Sequence, residues 1–248
     1  MKLAPKLLKL RNERRPAVND LRTLTEMQID RVNRQLSICA LAVIGLLAAV
    51  PAFAPAVDPP NFSGVWLATS PRSVLGANWP EPTSRAQMDL DAFDPLDDPV
   101  IRCVMPAFPR GGFAIYPFEI VQTESMIIFL YESFGMIRRI YMDERQPPNY
   151  LPLARRGYSV GRWEEDELVI DTTHVAPGLI TGGGLRQYGD VSVVERYRLI
   201  DESRGLEAEV IVTAPESFAG SWIRSFTWEL DPDGMIYESV CDPADRRF

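Results

Sequence analysis

From residue 57 onward, apolar and polar side chains alternate in short runs, and no stretch sustains a helical period. The run 222–230 is the clearest: Trp222, Arg224, Phe226, Trp228 and Leu230 share one face, because successive side chains of a strand point to opposite sides. Comparable runs occupy 62–68, 117–123, 126–132, 135–142, 157–164, 167–174, 190–200, 205–213 and 235–240. Glu124-Ser125, Ser133-Phe134 and Asp201 to Arg204 leave connections of hairpin length. The pattern predicts an all-β domain over 57–248, an antiparallel meander of about ten strands. Closed as a lipocalin-like up-and-down barrel, it leaves no edge unpaired. A two-sheet sandwich is the alternative.

Two segments interrupt the alternation. Residues 69–116 hold seven prolines and read as a long irregular lid or binding loop. Pro147-Pro148-Asn149-Tyr150-Leu151-Pro152 divides the strand series into two parts.

The only long apolar run lies ahead of the domain. Leu36 to Val50 follows Arg31 and Arg34 and is broken by Pro51, and small residues come next. That order predicts an N-terminal extension and signal peptide over 1–56, with Ala54-Pro55-Ala56 as the cleavage motif and Met27 as the better-placed initiator. A retained membrane anchor, the helix 36–54, is the alternative. Both place the body outside the cytoplasm, either periplasmic or secreted, or tethered to the inner membrane. Cys103 and Cys241, the two cysteines beyond that segment, are then expected to form a disulfide. The long loop it closes corresponds to roughly 5 kcal/mol in the chain-entropy picture.

Charge narrows the function classes. The chain has 248 residues and a net charge of −8, yet residues 1–56 carry nine bases and four acids, leaving 17 bases against 30 acids in the body. A body this acidic is not expected to bind nucleic acid. All three lysines lie at positions 2, 6 and 9, which removes Schiff-base and P-loop chemistry from the body. A single histidine, His174, excludes multi-histidine metal sites, and no cofactor or metal is expected. The acidic run Asp89, Asp91, Asp94, Asp97 and Asp98 reads as a solvated loop, because Phe93 occupies a ligand slot of the calcium-loop spacing. Gly182-Gly183-Gly184 reads as a flexible turn.

The strand faces supply the candidate chemistry. Val191, Val193, Glu195, Tyr197 and Leu199 share a face, as do Leu168, Ile170, Thr172 and His174, and Met136, Arg138, Ile140 and Met142. Glu195, Arg138 and Arg224 thus stand among apolar neighbours, where a charge requires a partner. An ion pair of Glu195 with Arg224, or with Arg138, satisfies that need structurally. The functional alternative is a pocket in which Glu195, His174 and Arg224 act as acid, base and anion holder. Arg138, Tyr197, Trp222, Phe226 and Trp228 would then line the ligand site.

Asn61-Phe62-Ser63-Gly64-Val65-Trp66, Pro117-Phe118-Glu119-Ile120-Val121-Gln122-Thr123 and Arg138-Arg139-Ile140-Tyr141-Met142-Asp143 follow one another along the chain. Gly157-Tyr158-Ser159-Val160-Gly161-Arg162-Trp163-Glu164, Leu168 to Thr173 and Glu195-Arg196-Tyr197-Arg198 complete the series. This order resembles a widespread family of exported bacterial proteins of unassigned function, and covers nearly all of the body. The resemblance implies export and a β fold. The chain departs from it at Glu144 and Glu165, where the family usually has glycine. Gly64-Val65-Trp66 is also similar to the G-x-W opening of lipocalins.

Three functions follow as expectations. The first is an exported barrel binding a small, largely apolar ligand in its interior. The second is a metal-free acid/base enzyme (isomerase, lyase or hydrolase) on the same barrel. The third is a membrane-anchored periplasmic subunit of a larger complex.

Overall fold

The alternation along the sequence becomes the inside and outside of a closed barrel. A computed structural model describes residues 58–69, 79–113 and 116–242, and the expected signal or anchor segment lies outside them. The strands are β1 (Gly64–Ala68), β2 (Phe118–Gln122), β3 (Met126–Tyr131), β4 (Ile137–Tyr141), β5 (Tyr158–Glu164) and β6 (Glu167–Thr173). After them come β7 (Gly178–Leu179), β8 (Arg186–Gln187), β9 (Ser192–Ile200), β10 (Gly205–Thr213) and β11 (Trp222–Asp231). Among the described residues, one α-helix, α1 (Ser84–Asp91), lies between β1 and β2. Around the barrel the order is β1-β11-β10-β9-β6-β5-β4-β3-β2, with β2 returning to β1, while β7 and β8 pair separately.

Nine strands cannot close as an uninterrupted antiparallel ring, because alternating directions require an even number. One contact must be parallel, and it falls between β4 and β5, at Ile140 with Ser159 and Tyr141 with Val160. The expected all-antiparallel meander is corrected at this point. The proline-broken connection 142–157 turns the chain back on itself, so β5 starts beside the end of β4 and runs in the same direction. The tenth expected strand, 235–240, does not form. β11 already has β10 on one side and β1 on the other, so the chain beyond Asp231 meets no open edge.

The helix was not foreseen either, and its face explains why. Only Ala86 of α1 is buried, so it writes no apolar stripe into the sequence. Its local signal is the cap: the Thr83 hydroxyl accepts from the Ala86 N–H at 3.3 Å. Asp94 and Asp98 of the acidic run cap two short 3₁₀ turns, accepting from the N–H groups of Leu96 and Val100. Asp89 accepts from the Tyr188 phenol.

Topology sorts the connections between two rims. The strand order places the hairpins β2–β3, β5–β6 and β9–β10 at one rim. The long insertions β1–β2, β6–β9 and β10–β11 all leave from the other, which is called here the insertion rim. The first of them carries α1 and a strap that ends in Phe108 and Phe113, both buried. Cys103 in this strap is bonded to Cys241 in the tail that follows β11, as the sequence led us to expect.

Candidate functional site

Just inside the insertion rim, four neighbouring strands contribute one polar cluster. Arg138 comes from β4, Ser159 from β5, Thr172 from β6 and Glu195 from β9, and all four are buried. Arg138 Nε donates to Ser159 Oγ at 3.1 Å, and Nη1 donates to Glu195 Oε1 at 3.0 Å. Nη2 donates to Thr172 Oγ1 at 2.7 Å and to Glu195 Oε2. The Tyr197 hydroxyl completes the cluster by donating to Glu195 Oε1 at 2.8 Å. Each charge is therefore matched by the other and by neutral hydroxyls, which is what makes burial of the pair tolerable.

The electrostatics follow from this packing. Burial disfavours the Arg138 charge, but the adjacent Glu195 carboxylate outweighs it, and the guanidinium stays protonated well above its ordinary range. Burial pushes the Tyr131 phenol up to about 12, with Arg138 pulling the other way. Burial and the Glu195 charge raise the Tyr197 phenol well above its usual value.

Of the two pairings open to Glu195, the fold selects Arg138. Arg224 shares a row with Glu195, but Val210 of β10 stands between them, opposite both. Two strand spacings, roughly 10 Å, separate their backbones. Arg224 is half-buried at the rim, donates to the Ile223 carbonyl and lies over the Trp222 ring, 5.6 Å from its centroid. His174 leaves β6 in a left-handed conformation, φ 56°, and its Nδ1 lies 2.9 Å from the Thr173 hydroxyl. None of the hydrogen bonds of Glu195 reaches His174. The structure thus brings Glu195, Arg138 and Tyr197 together, and leaves Arg224 and His174 at the periphery.

Trp222, Phe226 and Trp228 do face inward and are buried. Their neighbours are other rings: Trp79 stacks on Trp222 at 4.1 Å, and Phe113 stacks on Phe226 at 4.6 Å. Phe108 lies directly over Arg138 and is held on both sides. Its N–H donates to the Arg155 carbonyl at 2.6 Å, and its carbonyl accepts from the Gln187 amide at 2.8 Å. Only about 10 Å³ remains beside Phe108, Tyr131 and Arg138. Below the strap the barrel interior holds the buried rings of Phe118, Phe129, Tyr197 and Trp228.

Space of ligand size lies outside this plug. A cleft of about 540 Å³ opens between the strap and the β7–β8 insertion, with Trp79, Pro82, Leu90, Ile180 and Leu185 as apolar walls. Among the described residues, Arg110 supplies the one charged group of its lining. Its guanidinium is clamped by Asp98, Nη1 to Oδ1 at 3.0 Å and Nη2 to Oδ2 at 2.6 Å. Gly182 and Gly183, which the sequence presents as a flexible turn, form part of the wall. Gly184 has φ +97°, and a Cβ there would lie 2.5 Å from the Phe93 ring, so only glycine fits. Sequence reasoning missed Trp79, Arg110, Ile180 and Leu185, which sit in irregular segments with no period to read.

Among the described residues, no group of three or more histidine, cysteine or acidic side chains is placed to hold a metal ion. No family model and no curated protein matches the chain.

Proposed function

We propose that the protein is an exported barrel that binds a small, largely apolar molecule at its insertion rim, outside the Phe108 plug rather than deep in the interior. The cleft carries the reading. Its volume of about 540 Å³ falls in the range of small-molecule sites, and its described walls are mostly apolar, with Arg110 and Thr181 as the polar side chains. Two of the long insertions, β1–β2 and β6–β9, form its walls, and a rigid scaffold that collects its loops at one end is a common way to build a binding site. A second depression, about 690 Å³, includes Asp201, Glu202, Arg204 and Glu229 at the hairpin rim and is far more polar. The disulfide between Cys103 and Cys241 supports export, as does the apolar segment at 36–54. Among the described residues, no helix is long and apolar enough to cross a membrane.

Nile red, which is uncharged, serves as a probe. The full chain is expected to bind it with a fluorescence rise, and Leu185→Trp and Ile180→Trp, which fill the cleft, are expected to weaken binding at least tenfold while the thermal melt stays cooperative. Binding unaffected by both substitutions overturns the location.

A further inference from the structure

Resting on that reading of the cleft, we infer that its ligand is an uncharged molecule with a neutral oxygen acceptor, such as a ketone or ester, and not a carboxylate. The argument turns on the state of Arg110. An unpaired arginine in an apolar cleft would select an anion. Here the carboxylate already exists within the protein. Asp98 is 6% exposed and holds the guanidinium through both oxygens, while its Oδ1 also caps the 3₁₀ turn by accepting from the Val100 N–H at 3.1 Å. The cap fixes the position of Asp98, so the ion pair is a preset part of the wall.

A guanidinium has five N–H donors, and the clamp uses two of them. Donors therefore remain for a ligand, but the positive charge is balanced. A neutral acceptor gains a hydrogen bond there. An incoming carboxylate would lose its hydration, find the charge compensated and meet the Asp98 carboxylate beyond it. The wider field acts in the same direction, since residues 57–248 hold 30 acids against 17 bases.

Decan-2-one and decanoate match in chain length and differ in charge. Both are titrated at neutral pH against the full chain loaded with Nile red. Decan-2-one is expected to displace the dye at a concentration at least tenfold lower than decanoate. Asp98→Asn keeps a side chain that can cap the turn but releases the charge of Arg110. In that variant the preference is expected to shift towards decanoate by at least tenfold. Equal or tighter displacement by decanoate in the unaltered protein overturns the inference and leaves the cleft reading standing, as does an unchanged preference in folded Asp98→Asn. Displacement by neither compound also overturns the inference. Failure of Nile red itself to bind removes the cleft reading first.

Discussion

The ring of Phe108 lies 4.1 Å from the guanidinium carbon of Arg138 and closes the top of the barrel's only fully buried ion pair among the described residues. A ring face is attractive to a cation, and a desolvated contact of this kind contributes about 2 kcal/mol. Phe108 thus joins the strap to the barrel by chemistry as well as by shape. Phe108→Ala is expected to destabilise the fold by about 3–5 kcal/mol, the range for a buried aromatic, and Phe108→Leu by clearly less. Urea denaturation of the two variants checks this. A loss close to zero in Phe108→Leu would mean that the ring face contributes nothing beyond volume.

Arg138→Met leaves Glu195 buried without its counter-charge and is expected to cost about 3–5 kcal/mol. Adding Glu195→Leu is expected to recover most of that loss, because replacing both partners removes the uncompensated charge. Arg224→Met, at the half-buried rim, is expected to cost no more than about 1 kcal/mol. A double-mutant cycle from denaturant melts separates these values.

Alkaline pH offers a third check. The Tyr131 phenol is raised from 10.0 to about 12 in the folded protein, so between these values the unfolded chain has lost a proton that the folded chain retains. Stability is therefore full below pH 10 and falls as pH rises through that window, by about 3 kcal/mol for a two-unit shift. Tyr197 contributes in the same direction. Melting temperatures between pH 9 and 12 are expected to fall less steeply in Tyr131→Phe than in the unaltered chain.

Glu165, at the tip of the β5–β6 hairpin, adopts φ 58°, and Glu144 adopts φ 53°. A positive φ of this size is the left-handed region that favours glycine. The left-handed turn is kept although the side chain opposes it, at about 1–2 kcal/mol for a non-glycine residue. Both side chains are exposed, so little packing is lost with them. Glu165→Gly is expected to stabilise the protein by about 0.5–1 kcal/mol, the remainder being offset by the greater freedom of glycine in the unfolded chain. Differential scanning calorimetry reads this as a higher Tm.

What the sequence disclosed and what it hid divide along one physical line. The nine long strands were legible because the pleat repeats every two residues, and Trp222, Phe226 and Trp228 could be placed inside from that rule alone. Glu195 and Arg138 were legible as inward charges in need of partners. Their pairing was not, since it depends on which strands become neighbours, and β4 and β9 reach each other only across the barrel interior. His174 looked like a continuation of the β6 face until its left-handed backbone turned it aside, a change that no period foretells. The cleft was hidden for the same reason: its walls come from segments whose shape is set by caps and prolines rather than by repetition.

The closure of the ring by β1 and β11 has a consequence for the order of events during synthesis. Val65 pairs with Asp231, so the first strand made must wait for the last before its second side is covered. Until the segment ending at Asp231 is in place, a folding chain holds β1 and β10 as open edges, and exposed edges invite pairing with other chains. The contact that ends this exposure spans nearly the whole domain in sequence, which places it among the slow steps of folding. A factor that shields open strands would therefore be needed most during the interval before the final hairpin emerges, and a chain truncated within β11 would remain in that vulnerable state indefinitely.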